Sequence, residues 1–386
     1  MKRIYLDNAA TTSLDPEILD AMVRCYTEFY GNASSLHSFG TKAREILDHS
    51  RATIAASIGA NPEEIFFTSG GTEANNMAVK GIAFANRHKG NHIIVSSIEH
   101  DCILNACKWL ETQGFFITYI PVDSFGTIDR DMLRNLITPR TILVSVMYAN
   151  NEIGTIQPVE DIGKMCRELG IPFHSDACQA YGKMPINVTR DKTDLMTINA
   201  HKIYGPKGVG ALYVRKGISI TPLLHGGGQE NGLRASTENI PGIAGFAKAV
   251  RLFLPEINER AMKLTRLQKL LSNALMDSYD NVYILGHPEE RIPGHLSFSF
   301  HGLEGETMRL LLLLDEAGIA VSAGSACSSN DRTHTSHVLQ AIGLNQFEAR
   351  GAIRISMGKN TTENDIRSFI QTLSDSVKKL NSIFTY

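Results

Sequence analysis

Short apolar runs rich in β-branched and aromatic residues recur through the first half of the chain, at 65–68, 92–95, 115–120, 141–146, 195–198 and 211–214. Between them lie longer amphipathic segments, such as 41–57, 72–87 and 159–169, with apolar positions at helical spacing and often a glycine beyond the last turn. Alternation of buried-type strands with helices predicts an α/β unit: a mostly parallel sheet flanked by helices on both faces. After about Ala247 the texture changes. A long polar helix pattern over 255–279 leads into His295-Leu296-Ser297-Phe298-Ser299-Phe300, whose strict alternation predicts a half-buried strand. This shift predicts a second, smaller α+β unit, closed by a helix pattern over 363–380. No internal repeat or low-complexity segment interrupts the order.

The 386 residues suit a large unit plus a smaller one. Against 38 Lys+Arg stand 40 Asp+Glu, a formal charge of -2, so the balance favours neither nucleic acid nor an anionic membrane as partner. Although 43% of the residues are hydrophobic, no apolar stretch reaches the roughly 18 residues a membrane span needs. Asp7 breaks the region where an export signal would be apolar, so the expected location is cytoplasmic. Six cysteines, Cys25, Cys102, Cys107, Cys166, Cys178 and Cys327, are scattered without a CxxC pair, which argues against a disulfide framework or a structural zinc site. Five of them are expected to pack as small hydrophobes.

In sheets of this kind ligands sit beyond the carboxyl ends of the strands. The 65–68 run is followed by Ser69-Gly70-Gly71-Thr72-Glu73 and then a helix pattern. Glycines at such a turn let backbone N–H groups close on an anion at the helix N-terminus, a cup for a phosphate; the alternative is an ordinary turn capped by Thr72. It is neither a dinucleotide GxGxxG nor a Walker loop. Pro172-Phe173-His174-Ser175-Asp176 puts a carboxylate at a strand end, and Asn199-Ala200-His201-Lys202 ends the next, 26 residues on. A lysine in a partly dry cleft forms Schiff bases, and an aspartate facing a pyridine nitrogen keeps that ring protonated. Cup, Asp176 and Lys202 together are what pyridoxal 5'-phosphate (PLP) requires. Cys327 lies in a Gly/Ser-rich stretch followed by polar residues, the composition of an exposed loop. His334 and His337 are spaced too tightly for a metal pair with it, so no metal is expected.

Several longer stretches carry a resemblance: Asp7-Asn8-Ala9-Ala10-Thr11-Thr12, Tyr30-Gly31-Asn32, Thr68 to Glu73, Glu99-His100, Asn150-Asn151-Glu152-Ile153-Gly154, Asp176-Ala177-Cys178-Gln179, His201-Lys202-Ile203-Tyr204-Gly205-Pro206-Lys207-Gly208 and His225-Gly226-Gly227-Gly228-Gln229-Glu230. Together they resemble the cysteine desulfurases of the NifS and IscS kind, in the class V aminotransferase group of fold-type I PLP enzymes. Gly324-Ser325-Ala326-Cys327 resembles the sulfur-handling signature that separates desulfurases from aminotransferases.

The resemblance implies a large PLP-binding domain over 13–255 and a small domain of 1–12 with 256–386 carrying a mobile cysteine loop at about 322–335. By position it implies that Lys202 holds PLP and moves the substrate Cα proton, Asp176 pairs with the pyridine nitrogen and Gln179 bonds the phenolic oxygen. His100 stacks on the ring and shuttles protons, while Gly71, Thr72 and His201 hold the phosphate and Thr237 reaches the phosphate of a neighbouring subunit. Arg354 takes the substrate carboxylate with help from Asn32 and Asn151, which also lies against the cofactor; from the residues alone, a strand-end salt bridge is the first expectation for Arg354. Cys327 receives the sulfur of L-cysteine as a persulfide, leaving L-alanine. A homodimer and a sulfur-acceptor protein, either an iron–sulfur scaffold or a tRNA-thiolation enzyme, are the implied partners. Asn199 departs from a common Ser or Thr, Asn231 from a common Arg, and Ala235-Ser236 from the usual Ser-Gly. A selenocysteine lyase, a class V aminotransferase and a catalytically silent sulfur-trafficking scaffold remain alternatives.

Overall fold

A computed structural model describes residues 3–323 and 335–383. The larger unit runs β1 (Ile4–Tyr5), α1 (Pro16–Thr27), α2 (Ser38–Ser57), β2 (Ile65–Thr68), α3 (Gly71–Ala85), β3 (His92–Ser96), α4 (Asp101–Thr112), β4 (Phe116–Ile120), α5 (Arg130–Leu136), β5 (Thr141–Ser145), α6 (Val159–Glu168), β6 (Phe173–Asp176), β7 (Leu195–Asn199), β8 (Gly210–Val214) and α7 (Ile240–Phe253). Strands β2 to β8 form one sheet in the order β2-β8-β7-β6-β5-β3-β4, with β8 antiparallel to both neighbours and the remaining pairs parallel. Successive side chains in a strand point to opposite faces, so continuous apolar strands need two cores. Two exist. Ile94, Val144 and Met196 pack under α1, α2 and α7, while Ile93, Val95, Leu143 and Leu195 pack under α3 and α4. Inside the sheet, His174 joins three strands by hydrogen bonds to Ser145 Oγ at 2.9 Å and Thr197 Oγ1 at 3.1 Å.

The remainder comprises α8 (Ile257–Ser278), β9 (Val282–Leu285), β10 (His295–Phe300), α9 (Thr307–Glu316), β11 (Ile319–Ala320), β12 (Ser322–Ala323), α10 (His337–Ala341), β13 (Ile353–Ser356) and α11 (Glu363–Ile383). An antiparallel sheet β12-β13-β10-β9 lies over a separate core supplied by α8, α9 and α11. The first strand belongs here in space, since β1 pairs in parallel with β11 and Asp7 bridges to Ser356.

Two expectations are corrected. β10 is not half-buried: Leu296, Phe298 and Phe300 enter the small core, yet His295, Ser297 and Ser299 are buried as well. Their polar face lies against the larger unit, where His295 Nε2 meets the carbonyl of Glu152 at 3.0 Å. Ser322 and Ala323, expected within the cysteine loop, instead form a strand and pair with Arg354 and Ile353. Residues 324–334, including Cys327 and His334, lie outside the described residues. Among the described residues no helix is long and apolar enough to cross a membrane, and no cluster of three or more His, Cys, Asp or Glu side chains could hold a metal.

Candidate active site

The carboxyl ends of β2, β3, β5, β6 and β7 open on one edge of the large sheet, because β2, antiparallel to β8, runs the same way as β7. Beyond those ends lie Gly70-Gly71, His100, Asn151, Asp176 and His201-Lys202.

At the first, α3 starts from Gly70, whose φ of 153° fits glycine and which offers no side-chain cap. Thr72 is therefore not the cap. Among the described residues nothing accepts from the N–H groups of Gly71, Thr72 or Glu73, leaving three donors aimed along the helix axis. A Cβ on Gly71 would come within 2.8 Å of Cys178 Sγ, so only glycine lets this turn sit against the sheet. Asn199 Nδ2 lies 3.6 Å from that position, and its Oδ1 is buried without a partner among the described residues. His201 borders the same end. Burial, reinforced by Lys202, Lys207 and Lys183, depresses its pKa to about 4, so it is a neutral imidazole able to donate to an anion.

Asp176 is held from two sides. Asn75 Nδ2 donates to its Oδ2 at 2.6 Å, and the Cys178 N–H donates to its Oδ1 at 2.9 Å. Each oxygen keeps a lone pair, the chemistry needed to face a protonated ring nitrogen. His100 caps α4: its Nδ1 accepts from the Cys102 N–H at 3.2 Å and lies 3.1 Å from Cys102 Sγ. Burial pushes the Cys102 thiol up to about 12, so it stays protonated and is a donor to Nδ1; the imidazole proton is then assigned to Nε2. Burial also lowers the pKa of His100, which feels both Asp176 and Lys202. Gln179 Nε2 donates to the Ala9 carbonyl at 3.0 Å, and Lys183 Nζ donates to Gln179 Oε1 at 2.9 Å.

Arg354, fully buried on β13, reaches this edge from the small sheet. Its Nη1 donates to the Asn151 carbonyl at 3.0 Å and its Nη2 to Asp7 Oδ1 at 2.8 Å, while Nε has no partner among the described residues. The strand-end salt bridge thus exists, and an unspent N–H beside it remains for a second carboxylate. Two expected residues stand apart. Asn32 and Thr237 are exposed, and no hydrogen bond among the described residues joins either to this group; Asn32 Oδ1 instead accepts from the Ser34 N–H at 2.9 Å.

Four residues at the site went unread in the sequence: Asp7, Asn75, Cys102 and Lys183. Asp7 lies within a quoted motif, and Lys183 follows Gln179 by four residues, but their partners are set by packing alone. Cys102 packs against the core under α3 and α4, as expected of a small hydrophobe, and in addition takes a hydrogen bond from Asn75 Nδ2 at 3.2 Å and touches His100.

The aminotransferase class-V family model matches residues 4–369. The chain belongs to the aminotransferase class-V family. It is 47% identical to a protein named cysteine desulfurase IscS from Dictyoglomus turgidum, over 100% of this chain and 98% of that one. A solved structure titled NifS-like protein superposes with a TM-score of 0.91 at 39% identity, covering 98% of this chain and 100% of that chain. Another, titled SspA in complex with cysteine, gives a TM-score of 0.81 at 37% identity over 92% and 99%. The fold of this class-V chain follows those structures, with its mostly parallel sheet between two helical layers.

Departures from the family pattern have visible local settings. Glu230, Asn231 and Ser236 have φ of 47°, 53° and 100°. Asparagine tolerates the left-handed region better than most residues, so Asn231 suits its place, whereas Ser236, at a φ of 100°, sits strained in a conformation that suits glycine. Glu230 fixes the loop through paired bonds of 2.7 Å to Arg51 and a 2.8 Å bond from the Phe67 N–H.

Proposed function

We infer that this chain is a PLP-dependent cysteine desulfurase, converting L-cysteine to L-alanine and leaving the sulfur on Cys327 as a persulfide. The observation that carries the reading is the shared edge on which three open N–H donors, a doubly anchored Asp176 and Lys202 meet. These residues fit the cofactor: the α3 N-terminus, Asn199 and His201 offer donors to its phosphate, Asp176 to its ring nitrogen and Lys202 to its aldehyde carbon. When bound, PLP supplies an electron sink that stabilises charge at the substrate Cα and Cβ.

The protein's own groups do the aiming. Lys202, whose amine would hold the cofactor, would also carry the substrate Cα proton. His100, neutral with its proton on Nε2, would lie against the bound ring and pass protons. Arg354 takes the substrate carboxylate through its unspent N–H groups, with Asn151 and Asn32 beside it, while Asp7 keeps the guanidinium in place. The Cys327 thiolate attacks the substrate sulfur; an S–S bond forms, the Cβ–S bond breaks, and its electron pair returns to Cβ, which takes a proton to give alanine. The Cys327 assignment rests on the resemblance of residues 324–327 to the desulfurase signature.

The enzyme works as a homodimer in which Thr237 reaches the phosphate of the second subunit. Exposed Tyr30 and Phe39, with ring centroids 5.5 Å apart, and fully exposed Leu36 between them in sequence offer apolar surface for that copy. Five free thiols among the described residues suit the reducing cytoplasm, where an iron–sulfur scaffold or a tRNA-thiolation enzyme would accept the sulfur.

Mass spectrometry after incubation with cysteine tests both halves of the reading. A sulfur adduct on Cys327 is expected, as is loss of the cofactor's visible absorbance in Lys202→Ala. Undiminished alanine formation by Cys327→Ala would instead point to a lyase or aminotransferase acting without an enzyme thiol.

A further inference from the structure

Lys183 is a charged side chain at the site to which the preceding chemistry gives no task. It lies in the turn after β6, where Tyr181 bridges to Met184. The surrounding charge is unfavourable to it. Burial, with Lys202 and Arg354 nearby, lowers its pKa to about 7, and both His201 and His295 are depressed in part by its presence. A lysine kept against two other cations needs a compensating partner, and its hydrogen-bond partner is the Gln179 amide oxygen, at 2.9 Å.

That contact has a directional consequence. A glutamine amide has an acceptor end and a donor end that differ only in which way the group is turned. The Ala9 carbonyl can only accept, which puts Nε2 on its side, and Lys183 donates an N–H to Oε1 on the other, so the two contacts at the buried Gln179 agree on one orientation. The Nε2 group spends one N–H on Ala9 and keeps the other.

We propose that Lys183 is a positioning residue that locks the Gln179 amide, so that its free Nε2–H is presented to the phenolic oxygen of PLP. The inference rests on the PLP reading above. Without Lys183 the buried Oε1 loses its donor and the amide is held at Ala9 alone, so its free N–H is no longer fixed towards the cofactor oxygen.

The test is a double-mutant cycle on the loaded enzyme, read as the pH midpoint at which the cofactor's visible band changes. Losing a donor makes the phenolic oxygen more basic, so Lys183→Met should raise the midpoint by about one unit, the size a hydrogen bond to a charged acceptor carries. Gln179→Ala should raise it similarly, the double variant no further, and Lys183→Arg should stay near the wild-type value. Circular dichroism confirms that each variant is folded, and Lys183→Leu, which also lacks a donor, replaces Lys183→Met if the latter is not. Additive shifts would show that Lys183 acts only as a nearby charge, and an unmoved midpoint would show that it acts on nothing at the ring; either overturns the inference alone. A wild-type protein that takes up no PLP would overturn both this inference and the function it rests on.

Discussion

Ser236 shows how a single side chain carries strain in the loop before α7. Its φ of 100° is glycine territory, and Gln229 Oε1 accepts from its N–H at 3.3 Å, holding the backbone there. A Cβ in that region costs on the order of 1–3 kcal/mol. Ser236→Gly should therefore raise stability by about 1 kcal/mol, since glycine's extra freedom in the unfolded chain offsets part of the relief. A rise in the urea midpoint at unchanged slope checks this. The departure itself was legible in the sequence, but the strain was not, because only backbone geometry separates a tolerated serine from a forced one. Arg354 shows the reverse. Its residue type and strand-end position predict an ion pair, and the ion pair is there, but nothing local names Asp7, 347 residues away, as the partner.

At the scale of elements, the connection from β5 into the 150s meets the start of α10 through a buried contact. Ser336, which caps α10, donates its hydroxyl to Glu152 Oε2 at 2.5 Å. Burial pushes the Glu152 carboxyl up to about 7 from its ordinary 4.5, against the opposing pull of Ser336 and Arg354. A carboxyl with a raised folded pKa stabilises the fold fully below its unfolded pKa and loses that contribution as pH rises through the folded value. The window is thus about pH 4.5 to 7, and the loss across it is at most about 3 kcal/mol. Glu152→Gln keeps an acceptor for Ser336 and removes the proton, so its unfolding midpoint should fall less between pH 5 and 7 than that of the wild type, measured in urea. The elements themselves were legible: α2, α3 and α6 and the strands of the large sheet follow apolar periodicity and lie where that periodicity puts them. β10 was misread because alternation reports only side-chain polarity, and both of its faces are covered by another part of the chain.

Across the whole molecule, residues 4–12 run from the small sheet to the lysine turn. β1 pairs with β11, Asp7 meets Arg354, the Ala9 carbonyl takes Gln179, and Thr12 closes on the turn after β7. Thr12 Oγ1 donates to the His201 carbonyl at 2.8 Å and accepts from the Tyr204 N–H at 2.7 Å, where Tyr204 has a φ of 66°. Thr12→Val keeps the shape and strips both side-chain bonds; the His201 carbonyl keeps the residue-12 backbone N–H at 3.0 Å, but the Tyr204 N–H is left unpaired. The expected cost is about 1–3 kcal/mol, with weaker PLP uptake because the turn bearing Lys202 loosens. Urea unfolding and a PLP titration followed by visible absorbance measure the two effects separately. The strand-end positions of Asp176 and Lys202 could be read in advance because parallel sheets collect ligands at one edge. The strap could not, since contacts spanning nearly the full chain leave no periodic trace.

The same strap sets an order of events during synthesis. Asp176, Lys202 and the glycine turn have all left the ribosome long before β11 and β13 are made, but the first strand has no edge to join and Arg354 does not yet exist. A growing chain can thus assemble its proposed cofactor face first, and the last third of translation brings the guanidinium proposed to take the substrate carboxylate.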